Sequence, residues 1–187
     1  MSKIKIGKAV SVTPEGGPCS IFEVDLEGQK DALKLFHDNG NPGYTEKGRD
    51  LNQFRCESNA YKKLFTSGVC ERSFLKPRAI LLESLPNAES VNCVNCSDVL
   101  YCQAIEGMKE IHQAGVHRDI YPKNLLLVRG NPDRLVWIDF DVATTSFTDF
   151  GPEQLARGDH ETALVKGFGE ALKDDQAEGL PSDTKIY

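Results

Sequence analysis

Short apolar runs separated by turn residues fill the first 36 residues, a pattern typical of β-strands. A break at residues 13–18 combines Pro and Gly, and residues 27–30 have the composition of a hairpin loop. The pattern therefore predicts three strands in this part of the chain, at residues 4–12, 21–24 and 32–36.

From residue 51 the apolar spacing changes to the helical period. It predicts a helix at residues 51–65, which Gly68 would end. A short strand is predicted near residues 69–75, and the apolar run 79–82 suits a buried strand. The predicted apolar face of the helix carries Phe54, Tyr61, Leu64 and Phe65.

The second half of the chain is predicted to contain a helix at residues 97–114, strands at 125–128 and 135–138, and a helix at 161–173. Ser97 is a good N-cap for the first of these helices, and Gly115 marks its exit. The two strands are strongly apolar and flank a turn, so they form a predicted hairpin. The last helix has apolar residues at intervals of four, Leu164, Phe168 and Leu172.

Strands dominate the first half of the sequence and helices the second, and residues 83–96 form a polar connector. This order predicts an α+β fold with two lobes. The predicted N-terminal lobe, residues 1–85, holds an antiparallel sheet and one helix. The predicted C-terminal lobe covers residues 86–175, and residues 176–187 form a loosely ordered tail.

The composition is that of an ordinary globular protein, with 187 residues, 40% of them hydrophobic and 27% charged. The formal net charge of −6 argues against a nucleic-acid-binding protein, which usually carries a basic surplus. No apolar run approaches the roughly 20 residues needed to cross a bilayer, so no membrane partner is expected. The N-terminal residues lack the apolar segment of a secretory signal, and no Gly follows Met1 as myristoylation requires.

The chain has six cysteines. Because no secretory signal is expected, we interpret them as reduced thiols of a cytoplasmic or nuclear protein. Cys93 and Cys96 have the spacing of zinc ligands, with Cys102 and His112 further along. A single pair of this kind is a common chance occurrence, and the alternative is that these cysteines bind no metal.

Three polar residues border the apolar strands of the predicted hairpin: Asp119, Asn124 and Asp139. Polar side chains at strand ends can converge on one point in space. Two carboxylates and an amide offer hard oxygen ligands, which suit Mg²⁺ with bound phosphates. The alternative is that Asp119 and Asn124 are ordinary turn residues.

This stretch resembles the catalytic region of the protein-kinase superfamily in residue type and spacing. The matching residues are His117-Arg118-Asp119, then Asn124 after four intervening positions, and Asp139-Phe140 after the hairpin. The resemblance implies a two-lobed kinase-like fold with ATP and Mg²⁺ as cofactors. The C-terminal lobe would be a shortened one, because no further helices of a complete kinase domain are recognised.

The resemblance also implies roles for individual residues. Asp119 would accept the proton of the attacking hydroxyl. Asn124 and Asp139 would hold Mg²⁺, and Lys123 would lie near the transferred phosphate. Phosphoryl transfer depends on charge neutralisation and in-line positioning more than on covalent help, which is consistent with such a set of side chains.

A second pair of charges lies in apolar surroundings. Lys34, within the predicted strand 32–36, resembles the family's strand Lys that binds the α- and β-phosphates. Glu57 is three residues after Phe54 and four before Tyr61, so it falls on the apolar face of its helix. A buried Lys is costly unless it is paired, and we therefore predict an ion pair between Lys34 and Glu57. The alternative is that Lys34 extends to solvent and Glu57 lies at a solvated helix edge.

The remaining expectations follow from where residues stand relative to the motifs of the kinase family. Gly16 and Gly17 would cover the phosphates, although the family's G-x-G-x-x-G pattern is absent. Glu83 and Leu85 would form the hinge whose backbone binds adenine. Asp141 stands where the family has the Gly of its Asp-Phe-Gly motif, and it would add a metal contact or restrict the backbone.

The leading hypothesis is an ATP- and Mg²⁺-dependent phosphotransferase of the protein Ser/Thr kinase kind. In its shortness the chain is similar to truncated fungal kinase-like proteins. The first alternative is a small-molecule kinase similar to the aminoglycoside phosphotransferases, acting on a small hydroxylated substrate. The second is a nucleotide-binding pseudokinase or scaffold, or a fragment of a larger kinase, suggested by the weak glycine loop, by Asp141 and by the shortened C-terminal lobe.

Overall fold

The computed structural model describes residues 5–11, 18–38, 40–46, 48–70, 74–76, 78–118, 120–145 and 151–182. The fold is of the α+β class, with two antiparallel sheets and three α-helices in the described residues. The chain divides into two compact units. The N-terminal unit is Met1–Leu85 with Phe140–Val142, and the C-terminal unit is Pro86–Asp139 with Ala143–Tyr187.

The N-terminal unit contains a five-stranded sheet in the order β1-β2-β3-β5-β4, with every neighbouring pair antiparallel. Its elements are β1 (Lys5–Ser11), β2 (Cys19–Leu26), β3 (Gln29–Phe36), α1 (Gln53–Thr66), β4 (Phe74–Lys76) and β5 (Ala79–Glu83). The turn between β2 and β3 has Glu27 at φ 56° and Gly28 at φ 88°. Two successive positive φ angles give the twist that a two-residue hairpin needs.

Helix α1 begins at an Asn cap and buries one face. The backbone N–H of Arg55 donates to Asn52 Oδ1 at 2.9 Å, which satisfies an N–H group that has no partner inside the helix. The buried residues are Cys56, Glu57, Ser58, Ala60, Tyr61 and Leu64. Phe65, predicted on the apolar face, is exposed, because the buried face is centred on residues 57, 60, 61 and 64 instead. Gly68, at φ 74°, ends the helix as predicted.

The C-terminal unit contains a three-stranded antiparallel sheet and two helices. Its elements are β6 (Ala88–Ser90), α2 (Asp98–Gln113), β7 (Leu125–Val128), β8 (Arg134–Trp137) and α3 (Pro152–Glu178). The strand β6 lies inside residues 83–96, for which the sequence predicted a polar connector and no strand. Its residues Ala-Glu-Ser have low strand propensity, and β6 forms by pairing with β7, from Ala88 opposite Val128 to Ser90 opposite Leu126.

Helix α2 begins where the sequence predicted. The backbone N–H of Leu100 donates to Ser97 Oγ at 3.3 Å, and Gly115, at φ 72°, follows the last turn. The helix packs its apolar face into the core of the C-terminal unit through Leu100, Ala104 and Met108. Apolar side chains of β7 and α3 complete this core, among them Leu125, Leu127, Val165 and Leu172.

Helix α3 is longer than predicted at both ends, since the sequence placed it at residues 161–173. Pro152 supplies a favourable fixed φ in its first turn, and Gly179, at φ 71°, caps its end. The prediction of a loosely ordered tail at residues 176–187 is therefore wrong for residues 176–178, which belong to the helix. Gln176 is helical and its Nε2 donates to the carbonyl of Cys93 at 2.9 Å, while residues 183–187 lie outside the described range.

The buried face of α3 also differs from the predicted one. Val165, Gly169 and Leu172 are buried, whereas Leu164 is exposed. The apolar residues from Leu164 to Leu172 span only about two helical turns, which is too short a pattern to determine which face of the helix is buried. None of the helices in the described ranges is long and apolar enough to cross a membrane.

Candidate functional site

The predicted ion pair between Lys34 and Glu57 is present in the N-terminal unit. Lys34 Nζ lies 2.6 Å from Glu57 Oε2, and the two side chains are 8% and 1% exposed. Strand β3 is interior to its sheet, so Lys34 is paired on both sides, with Ile21 of β2 and Ile80 of β5. The ammonium also stands 5.2 Å from the ring centroid of Phe36, within cation–π range.

Removing both charges of this pair from water is costly. The attraction between them offsets that cost only when the geometry is good, and apolar pairs of similar volume are often equally stable or more so. The close contact and the nearly complete burial show that the fold holds the two charges in one arrangement. A buried ion pair at such a position therefore marks a candidate functional site.

The pairing of β7 with β8 places Asn124 and Asp139, the predicted metal ligands of the C-terminal unit, at the same end of the hairpin. Leu125 pairs with Trp137, and the N–H of Ile138 donates to the carbonyl of Asn124 at 2.9 Å. Asn124 thus stands opposite the residue that precedes Asp139. Its side chain is buried at the end of the short 3-10 turn Pro122–Asn124.

Arg118 fixes the backbone beside Asp139. It is 1% exposed, and its Nη2 donates to the carbonyl oxygen of Asp139 at 3.0 Å. Its guanidinium lies 5.3 Å from the ring centroid of Trp137. Asp139 has a φ of 64°, a left-handed conformation that is costly for a non-Gly residue and clusters at functional sites. The sequence identified Arg118 as part of a motif but gave no sign of this structural role.

The residues after Asp139 are held in two different ways. Phe140 is buried in the N-terminal unit, and its ring meets that of Tyr61 edge to face at 5.3 Å. Thr144 belongs to the C-terminal unit, where it exchanges two backbone hydrogen bonds with His117, at 3.0 and 2.7 Å. Both ends of the segment that follows the predicted metal ligand are therefore fixed.

Asp141 is half-buried in the N-terminal unit, near Cys56. Burial, together with the negative charges of Asp50 and Asp141, raises the pKa of the Cys56 thiol to about 11. Cys56 is therefore a neutral thiol with low reactivity near pH 7.

The other predicted site residues occupy less constrained positions. Glu83 is exposed at the end of β5, and Leu85 is half-buried just after it. Lys123 is exposed, with its Nζ 5.4 Å from the ring centroid of Tyr121. Three predicted site residues lie outside the described residues: Gly16, Gly17 and Asp119.

The sequence did not identify a cluster of two imidazoles and a carboxylate in the C-terminal unit. His112 Nε2 lies 2.8 Å from Glu161 Oε2, and His117 Nδ1 lies 3.5 Å from Glu161 Oε1. Burial by itself would raise the pKa of Glu161, but hydrogen bonds from His112 and His117 and their charges hold it at about 2. Glu161 is 44 residues or more from both histidines, so no local pattern connects them.

The predicted zinc spacing of Cys93 and Cys96 serves a different purpose. The thiol of Cys93 donates to the carbonyl oxygens of Leu180 and Pro181, each at 3.4 Å. Gln176 Nε2 binds the carbonyl of Cys93, so this turn holds the end of α3. Within the described part of the chain, three potential metal ligands come together in the cluster of His112, His117 and Glu161. This cluster includes no cysteine.

Comparison of the sequence with protein-family models and with curated proteins gives no match to either.

Proposed function

We propose that this protein is an ATP- and Mg²⁺-dependent phosphotransferase with a two-lobed kinase-like fold. The observation that carries the proposal is the buried ion pair of Lys34 and Glu57, at 2.6 Å. A pair of opposite charges inside a sheet-and-helix core brings little stability by itself, and a kinase-like nucleotide site would account for its presence.

In the proposed mechanism, Lys34 binds the α- and β-phosphates of ATP, and Glu57 orients its ammonium. Glu57 is suited to this role because α1 buries it among apolar residues and leaves its carboxylate little freedom. A phosphate that approaches Lys34 would add a second negative partner to a cation that the fold already holds in place.

The residues of the C-terminal unit fit a magnesium ion by their chemistry. Asn124 offers an amide oxygen and Asp139 a carboxylate, which are hard donors of the kind that Mg²⁺ prefers. Mg²⁺, when bound, would neutralise charge on the phosphates. The hydrogen bond from Arg118 to the backbone carbonyl of Asp139 fixes the backbone that carries this carboxylate.

The proposed transfer needs one base. The hydroxyl oxygen of the acceptor attacks the γ-phosphorus while the bond from that phosphorus to the oxygen bridging to ADP breaks. Asp119 takes the hydroxyl proton, a role that rests on its place in the sequence motif. ADP and the phosphorylated acceptor are the products.

The proposed acceptor is a Ser or Thr hydroxyl of a protein, and a small hydroxylated compound is the second candidate. One observation favours the second candidate. Helix α3 starts at Pro152, so ten residues, 142–151, separate it from Asp141, and Thr144 among them is bonded back to His117. Such a short segment leaves little chain with which to bind an extended peptide.

A thermal-shift assay with Mg-ATP tests the nucleotide site. We expect an Mg²⁺-dependent rise in Tm, since a ligand at about 100 times its Kd stabilises the folded state by about 2.7 kcal/mol. Asp139→Ala should abolish the magnesium dependence, and the variant Lys34→Met/Glu57→Leu should lose the response to ATP. The double variant replaces both charges with apolar groups and so avoids a lone buried charge.

Lys30→Met is the matched control, because Lys30 is exposed on the same hairpin and should leave the response unchanged. Phosphate transfer is then measured with mixed protein substrates and with small polyols and amino alcohols. Absence of both nucleotide-dependent stabilisation and turnover would refute the proposal. Binding of Mg-ATP without turnover would establish the pseudokinase alternative.

A further inference from the structure

His112, His117 and Glu161 point three potential metal-ligand atoms at one place in the C-terminal unit. The atoms all lie within 4.8 Å of one another. The residues come from three separate parts of the chain: the last turn of α2, the loop after it, and α3. Ligands around a tetrahedral Zn²⁺ stand roughly 3.3 Å apart, given bonds near 2.0–2.1 Å, so a small rotation of side chains would close the site.

The two imidazole rings are already arranged side by side. Their centroids are 5.0 Å apart with an interplanar angle of 21°, so the two rings are stacked and nearly parallel. Gly158 makes room for His112 against α3, because a Cβ at this position would lie 3.2 Å from His112 Nδ1. The ring therefore reaches Glu161, one turn further along α3, without obstruction.

The carboxylate of Glu161 is held ready to act as a ligand. It is 4% exposed, and its Oε2 lies 2.8 Å from His112 Nε2. The backbone N–H of Arg118 lies 3.4 Å from Oε2, and the guanidinium Nε of Arg157 lies 3.2 Å from Oε1. Arg118 binds Glu161 through its backbone, whereas Arg157 does so through its side chain, which is about a third exposed.

We propose that His112, His117 and Glu161 bind a divalent transition-metal ion of the Zn²⁺ class. Two imidazole nitrogens and one carboxylate oxygen form a ligand set that Zn²⁺, Co²⁺ and Ni²⁺ accept, whereas Mg²⁺ prefers oxygen ligands alone. Three protein ligands leave a fourth position for water. The ion would displace Arg157 from Glu161, because both compete for the same carboxylate.

The proposed ion would link α2, α3 and the loop that leads into Arg118. Because Glu161 lies 44 residues beyond His117, bound metal would stabilise the folded C-terminal unit against the unfolded chain. The proposal is independent of the phosphotransferase proposal, since none of its three ligands is assigned to ATP or Mg²⁺.

Zinc titration of the purified 187-residue chain tests the site. After treatment with a chelator, one equivalent of Zn²⁺ should raise the Tm by roughly 5 °C or more, and the chelator should reverse the rise. Mg²⁺ should give no such shift. His112→Ala and Glu161→Gln should each weaken zinc affinity by at least about 100-fold, whereas Arg157→Gln should keep or raise it, because a competing cation is removed.

His160→Ala is the matched control, since His160 is exposed on α3 next to Glu161 and should bind zinc like the wild type. Cys93→Ser/Cys96→Ser should also retain one equivalent. The visible spectrum of the Co²⁺ form gives a readout in the unmutated chain, and it should lack the charge-transfer bands of thiolate ligands. No zinc-dependent shift in the wild type, unchanged affinity in His112→Ala, thiolate bands, or loss of binding only in the cysteine variant would overturn the proposal.

Discussion

Lys34 and Lys30 are four residues apart on one strand, yet their ion pairs differ in environment. Lys30 Nζ lies 2.9 Å from Glu23 Oε1, and the side chains are 67% and 40% exposed. Lys34 and Glu57 are almost completely buried. Water screens the first pair and stabilises either charge alone, whereas a single charge left in the second position has no such compensation.

Glu57→Ala should therefore destabilise the protein strongly. It leaves the Lys34 ammonium buried without its carboxylate, and we expect the free energy of unfolding to fall by about 3–5 kcal/mol. Urea denaturation followed by circular dichroism measures this loss. Glu23→Ala is the control on the same hairpin, with an expected loss below about 1 kcal/mol. Equal losses in the two variants would contradict the assigned role of burial.

Helix α3 shows how a glycine can set the distance between two elements. An added Cβ at Gly169 would lie 2.0 and 2.2 Å from ring carbons of Tyr101 on α2. Gly167, half a turn earlier on α3, has nothing within 4 Å of the same position. The close approach of α3 to α2 at Tyr101 thus depends on the absence of a side chain at Gly169.

Gly169→Ala and Gly167→Ala should consequently have opposite effects. Gly169→Ala forces the Tyr101 ring to move and should lower the free energy of unfolding by about 1–3 kcal/mol. Gly167→Ala should raise it by about 0.5–1 kcal/mol, because Ala has less conformational freedom to lose in an open helical position. Thermal denaturation of both variants provides the comparison, and destabilisation by both would show that helix α3 is packed differently.

The division into two units does not follow the order of the chain. Phe140–Val142 belongs to the N-terminal unit, although Asp139 and Ala143 on either side belong to the C-terminal one. Phe140 is 1% exposed and contacts the ring of Tyr61 on α1. The N-terminal unit therefore obtains part of its core from a residue more than 50 positions beyond its own sequence.

Phe140→Ala should weaken the N-terminal unit in particular. We expect a loss of about 3–5 kcal/mol, the usual range for deleting a buried Phe ring. Hydrogen exchange should show faster exchange of the α1 amides, with smaller changes in α2. Phe65→Ala on α1 serves as the control, because Phe65 is 51% exposed and its loss should change stability by less than about 0.5 kcal/mol. Unchanged exchange in α1 would contradict the packing of Phe140 in this unit.

Local features of the sequence determined most of the elements. The β2–β3 hairpin follows from its turn, and the start of α2 from the hydroxyl of Ser97, because each depends on residues within a few positions. The pair of Lys34 and Glu57 was also predictable from sequence. Each charge stands in an otherwise apolar pattern. A buried charge strongly destabilises the fold unless an opposite charge lies next to it.

Only the tertiary structure decided the features that depend on distant partners. The strand β6 exists because β7 pairs with it, and the rotation of α3 follows from Tyr101 packing against Gly169. The meeting of His112, His117 and Glu161 likewise required α3 to pack beside α2. Periodicity records which side of an element is buried on average, whereas contacts between distant segments depend on how those segments pack, which no local pattern contains.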